Sequence, residues 1–166
     1  LTQDAIAGPF ALHTVFESFD ATTPHDYAIY TSGASILLAN KYLIQHQAKF
    51  FDYADFAFDA ANGNLPAYTF IEPRYDDDGQ GLFANSQHPD FPVDRGEALI
   101  REIYYALTKS PDWTSTLFLI IYDEHGGIFD HVPPPILTQN PIYNNLPVTP
   151  SGPPDVFDFT RLGVRV

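Results

Sequence analysis

Thr116-Leu117-Phe118-Leu119-Ile120-Ile121-Tyr122-Asp123-Glu124-His125-Gly126-Gly127-Ile128-Phe129-Asp130-His131 decides the reading of this chain. It opens as an apolar run and then breaks into carboxylates, imidazoles and a glycine pair. A short, unbroken apolar run bounded by turn signals reads as a buried strand. The polar burst then falls where that strand ends. In open α/β sheets ligands bind just beyond the carboxyl ends of the strands. Tyr122–His131 is therefore where chemistry is expected.

Working outward, the pattern alternates between strands and helices. Phe10, Leu12, Val15, Phe16 and Phe19 give the first residues a helix-compatible face, and 26–30 reads as a short strand. Ser35 to Leu43 and Gln47 to Ala61 read as helical, the second with an aromatic inner face of Phe50, Phe51, Tyr53, Phe56 and Phe58. Asn62-Gly63-Asn64-Leu65-Pro66 stops it. Ala67-Tyr68-Thr69-Phe70-Ile71 is rich in β-formers and reads as a strand that ends at Glu72-Pro73-Arg74-Tyr75. A polar loop runs from Asp76 to Pro92. Next comes the clearest helix, Val93 to Ser110, with Asp90 or Asp94 as its expected cap and Pro111 beyond its end. After His131 the prolines multiply, which reads as an extended surface segment. Residues 157–166 look like the entry to a further strand.

Strand, helix, strand, loop, helix, strand is the order of a parallel α/β sheet with right-handed crossovers. Only about three strands are legible, so the chain is expected to be a portion of a larger domain. It begins at Leu1-Thr2-Gln3-Asp4 with neither Met nor a signal-peptide pattern, which reads as a processed or truncated start.

Composition narrows the class. With 166 residues, 45% of them hydrophobic, the chain is long enough for a folded core. No apolar run reaches the roughly 20 residues of a membrane span. A net charge of −13 disfavours nucleic acid and anionic lipid as electrostatic partners. A phosphate-bearing substrate would need a metal cation or a histidine cluster to reverse the local field. The absence of cysteine removes disulfides and thiolate metal sites.

Parallel strands gather their carboxyl ends at one edge, so Glu72, His88, Asp123, Glu124, Asp130 and His131 are expected as neighbours. Carboxylates and imidazoles there suit a hard or borderline divalent metal. Such an ion polarises a phosphoryl oxygen or activates an oxygen nucleophile. Other readings stand beside this one. An Asp-Glu pair at a strand end is more often a solvated turn. His13, His25 and His46 read as structural or surface groups, and spacing alone slightly favours structure for His88, His125 and His131. Asp76-Asp77-Asp78-Gly79 lacks the alternating ligands of a calcium loop and reads as a solvated turn. Arg74 reads as an ion pair with Glu72 or a surface charge. No serine or cysteine nucleophile motif, Walker A or dinucleotide fingerprint is present.

Tyr122–Val132 closely resembles the hallmark block of the phosphoesterase family that holds the non-specific phospholipases C and related acid phosphatases. Asn64–Tyr75 resembles a second block of that family. His88-Pro89 with Asp94, Gly96 and Glu97, continued to Trp113, resembles a third, and Phe159–Val166 a further one. The resemblance runs in order from about Phe10 and is closest to fungal members.

This resemblance implies an alkaline-phosphatase-like fold: an α/β sandwich on a parallel sheet, incomplete in this chain. It also implies phosphoester hydrolysis assisted by a divalent metal ion. The substrate would be a phospholipid or a phosphomonoester, and the location secreted or extracytoplasmic. By the same resemblance Asp123 and Glu124 are metal ligands, His88 and His131 flank the phosphate catalytically, and Glu72 and His125 contact substrate. The family's Glu-Asn block and its Ser or Thr nucleophile are not recognisable. Residues 1–166 are thus expected to be the central and following portion of one catalytic domain, inactive when isolated. Two alternatives stay open: a truncated or degenerate relative that keeps a ligand-binding scaffold, and an acidic metal-binding module.

Overall fold

Tyr27-Ala28-Ile29-Tyr30 is buried on both faces, no residue of the four being more than 2% exposed. In a computed structural model of the chain it forms the central strand of a parallel sheet. The structure describes residues 10–22, 26–128, 130–136, 142–143, 146–147 and 162–166. The chain divides into two compact units, Leu1–Phe118 and Leu119–Val166.

In the first unit, α1 (Val15–Thr22) leads into β1 (Tyr27–Thr31). A 3₁₀ turn and α2 (Lys41–Gln45) return the chain to β2 (Phe50–Asp52). Then α3 (Tyr53–Ala61) crosses to β3 (Tyr68–Glu72), and α4 (Val93–Leu107) closes the unit. The strand order is β2-β1-β3, and both pairings are parallel. The chain moves one way from β1 to β2 and back the other way from β2 to β3. Right-handed crossovers that reverse direction must place their helices on opposite faces. The packing obeys this. Leu43 of α2 joins Phe16, Tyr27 and Ile29 on one face. Phe56 and Ala60 of α3 join Ala28, Tyr30, Leu99, Ile103 and Leu107 on the other. Alternate residues of β1 serve alternate clusters, as the period of a strand requires.

The fold is α/β, as the element order implied, and it is consistent with part of an alkaline-phosphatase-like domain. The register decides where its chemistry can sit: Thr31 pairs with Asp52 on one side and Glu72 on the other. All three strands therefore end at one level, and the strand order reverses there.

Several local expectations need correction. Phe50–Asp52 is a strand, not the start of a helix; Asp52 ends it and caps α3 by accepting from Ala54 N–H at 2.9 Å. The aromatic segment does not present a single inner face, since Phe56 is buried while Phe51 and Phe58 are exposed. Neither Asp90 nor Asp94 caps α4; Pro92 occupies that place without a side-chain bond. Thr116–Ile121 forms no strand. Phe118 packs against the cluster around Phe56, but Leu117 and Ile121 are 81% and 82% exposed. A strand needs a ladder partner as well as hydrophobicity, and none is paired with it among the described residues.

Asn40 ties the N-terminal segment to α2. Its Oδ1 accepts from Tyr42 N–H at 2.8 Å, and its Nδ2 donates to Leu12 O at 2.7 Å. Loss of an N-cap acceptor typically costs about 1 kcal/mol. Asn40→Ala is expected to lower the urea midpoint accordingly, with Asn40→Asp, which keeps the acceptor, falling less.

The second unit contains the Tyr122–His131 segment and a two-residue antiparallel pair, β4 (Ile142–Tyr143) with β5 (Leu146–Pro147). Part of the proline-rich stretch is thus paired rather than simply extended. Residues 162–166 form no strand, and 157–161 lie outside the described residues. Arg165 binds Asp130 through two contacts, Nε to Oδ2 at 3.0 Å and NH2 to Oδ1 at 3.2 Å, and Leu162 N–H donates to Pro135 O.

Candidate functional site

A cavity of about 340 Å³ opens at the carboxyl edge of the first unit's sheet. Ser32 and Gly33 from the end of β1, Asp52 from the end of β2, and Arg74, Tyr75 and Asp76 from beyond β3 line it. This is the crevice that a reversal of strand order creates.

Glu72 closes β3 and is only 1% exposed. Its Oε1 accepts from Ile36 N–H at 3.0 Å, which fastens the loop after β1 to the end of β3. Its Oε2 is buried with no hydrogen-bond partner among the described residues. Burial pushes the Glu72 carboxyl above its ordinary range, against opposing hydrogen bonds that include those from Ser35 and the Ile36 and Leu37 backbone. The folded state thus holds this proton more tightly than the unfolded chain. Its contribution to stability is complete below the unfolded value near 4.5 and is lost as pH rises through the folded one. Glu72→Gln removes that titration. The melting temperature of the variant relative to the native chain is expected to rise as pH climbs above 4.5 and to level off once the folded carboxyl has ionised, and parallel curves throughout would contradict the assignment.

Arg74 is half-buried and does not pair with Glu72. Its Nε donates to Ser32 O at 3.1 Å and its NH1 to Phe83 O at 2.7 Å. The sequence suggests an ion pair or a surface charge instead; the one signal it offers for this role is a place just beyond a strand end. The acidic run beside it behaves as a turn. Asp78 Oδ1 accepts from Gln80 and Leu82 N–H, and the Gln80 bond leads in holding that carboxyl below its usual range. Asp77 Oδ1 accepts from Ala84 N–H.

His88 stands exposed on the loop that returns to α4. Its N–H donates to Ser86 Oγ at 3.3 Å, and its carbonyl accepts from Phe91 N–H at 2.8 Å. Pro89 takes the second position of that turn, which its fixed φ favours. Asn85 links this loop to β3. Arg74 N–H donates to Asn85 Oδ1 at 2.6 Å, and Asn85 N–H donates to Arg74 O at 2.9 Å. Glu72 and His88 therefore belong to one bonded substructure.

Asp123, Glu124, His125, Asp130 and His131 lie in the second unit. Gly126 and Gly127 both have φ of 69°, a left-handed pair that few other residues accept. Glu124 Oε2 accepts from Gly126 N–H at 2.6 Å, and His125 Nδ1 accepts from Gly127 N–H at 2.7 Å. The glycines thus form the turn, and the side chains before it hold it closed. Asp123 and Glu124 are exposed. His131 is exposed too, with its Nδ1 3.9 Å from Asp130 Oδ1. Two adjacent carboxylates are hard oxygen donors suited to a divalent cation. Among the described residues no group of three or more His, Asp or Glu is arranged to hold a metal ion, and Asp123 and Glu124 are a pair.

The first unit is an α/β scaffold with polar groups at the carboxyl ends of its parallel strands, the arrangement of α/β enzymes that bind ligands at a reversal of strand order. Residues 12–166 match the phosphoesterase family, and the chain belongs to it. It is 41% identical to non-specific phospholipase C6 of Arabidopsis thaliana over 165 residues, 97% of this chain and 30% of that protein. Non-specific phospholipase C5 of the same plant is 38% identical over 167 residues, 95% of this chain and 30% of that protein. Non-hemolytic phospholipase C of Burkholderia pseudomallei is 38% identical over 84 residues, 49% of this chain and 11% of that protein. The chain thus spans less than a third of the length of these relatives. No helix among the described residues is long and apolar enough to cross a membrane.

Proposed function

We propose that the chain is part of a metal-assisted phosphoester hydrolase acting on a phospholipid or a phosphomonoester. The observation that carries this reading is the match of residues 12–166 to the phosphoesterase family. The names of its relatives, phospholipases C, support the reaction class. Asp123 and Glu124 would hold a divalent ion, which when bound neutralises charge on the phosphoryl group and lowers the pKa of an oxygen nucleophile. His88 and His131 stabilise phosphate oxygens or protonate the departing alkoxide. His125 and the Glu72 strand end contact substrate; with its oxygens turned into the fold, Glu72 acts there chiefly by fastening the loop after β1. Family resemblance further assigns the enzyme a secreted or extracytoplasmic location.

Binding is the informative readout. Calorimetric titration of the chain with Zn²⁺, Mn²⁺, Ca²⁺ and Mg²⁺, followed by inorganic phosphate, is expected to show phosphate affinity that depends on a bound metal. A chain that binds neither would overturn this proposal in favour of a non-catalytic relative. Metal binding without phosphate would point instead to an acidic metal-binding module.

A further inference from the structure

Gln87, immediately before His88, has a φ of 63° and is the only non-glycine residue in the left-handed region among the described residues. That conformation is unfavourable for a residue with a Cβ and persists only where the surroundings impose it. Here α4 imposes it. Gln87 Nε2 donates to Val93 O at 3.1 Å, at the first residue of the helix. The Gln87 side chain then lies across Gly96, which is buried one turn further on. A Cβ at position 96 would overlap Gln87 Cγ and stand 2.7 Å from Cδ and 3.1 Å from Asn85 O. Gly96 is helical, so its own backbone does not require glycine; the space does. Glycine inside a helix is otherwise unfavourable.

The route of the His88 loop is therefore fixed on both sides. Asn85 is bonded reciprocally to Arg74 at the end of β3. Gln87 is clamped between Val93 and Gly96 on α4. His88 follows directly on the second anchor and continues into its own turn.

We propose that Gln87 and Gly96 are positioning residues for His88, a side-chain lock that fixes the backbone from which the imidazole projects at the loop crest. The functional part of this inference rests on the reading of His88 as a phosphate-side residue.

The test uses the whole chain, with His ring resonances followed by NMR and phosphate affinity measured in the presence of Mn²⁺. Gly96→Ala is expected to displace Gln87 and shift the His88 ring signal, leaving those of His13 and His46 in place. Gln87→Gly is the second variant, because it tolerates the left-handed backbone and should fold normally. It removes the clamp, so it should broaden or shift the His88 signal and weaken phosphate binding roughly tenfold, the low end of what orienting partners contribute. Gln87→Glu, which keeps length but loses the donor to Val93 O, should resemble Gln87→Gly. An unchanged His88 signal in a folded Gln87→Gly chain would overturn the lock. His88→Ala separates the two ideas. If it leaves phosphate affinity intact, the role of His88 fails, while the ring signal still decides the lock.

Discussion

Phe56→Ala is expected to remove about 3–5 kcal/mol of stability, the usual cost of truncating a fully packed phenylalanine. Phe56 is 2% exposed and lies at the junction of two elements. Its ring meets Tyr30 edge-on at 5.4 Å and stacks with Tyr53 at 5.9 Å. The same side chain contributes to the cluster that joins α3 to α4 across the sheet face. Truncation leaves a cavity that helices anchored at both ends cannot collapse into. Domains are typically stable by only about 5–15 kcal/mol, so the variant should lie near the edge of folding at about 37 °C. Phe58→Ala provides the contrast: Phe58 is 68% exposed, and its loss should change stability by no more than about 0.5 kcal/mol. Urea unfolding followed by tryptophan fluorescence measures both, because Trp113 packs against the same cluster. Equal losses for the two variants would contradict the packing.

That contrast shows what the sequence could and could not convey. Phe50, Phe51, Phe56 and Phe58 are equally hydrophobic, and periodicity alone folds them into one helix. The dividing signal is Asp52, whose carboxylate both terminates a strand and caps a helix. Read as a cap, it splits the segment correctly. The β1 and β3 strands are legible because each is a compact block of β-formers bounded by turn residues. The parallel order follows from their alternation with helices. The run Thr116–Ile121 misleads for the opposite reason, since hydrophobicity states a preference for burial but does not supply a neighbour. Of the candidate site, the residue types are visible in sequence. The uses that some of them are put to are not, because those uses are hydrogen bonds to backbone distant in sequence: Glu72 to Ile36, Arg74 to Ser32, Asn85 to Arg74.

The second large effect concerns Asp123 and Glu124. The Asp123→Asn, Glu124→Gln double variant is expected to lose divalent-metal affinity by about 100-fold or more, since a ligand should cost at least as much as the outer-shell partners that orient one. Both substitutions keep side-chain size and remove the charge that a hard cation requires. The amide oxygen that Glu124→Gln leaves in place can still accept from Gly126 N–H, so the turn itself should survive. Circular dichroism should be unchanged while the calorimetric signal for Mn²⁺ disappears. Retained metal affinity in the folded double variant would move the metal assignment away from these two residues. Loss of structure would instead mark Glu124 as a clasp of the glycine turn.

The reciprocal bonds between Arg74 and Asn85 have a wider consequence. Everything from Tyr75 to Ala84 is an excursion whose two ends are already joined. The entropy of closing such an excursion grows only slowly with its length. Residues at its exposed tip, Gly79 to Gly81, can therefore be inserted or exchanged without redirecting the chain that arrives from β3 or the chain that departs toward His88, while Asp77, Phe83 and the buried Ala84 keep the base of the excursion tied to the fold. The tip behaves as an interchangeable cassette on the rim of the strand-end cavity. Relatives could remodel one wall of that cavity there while the scaffold beneath it stays the same.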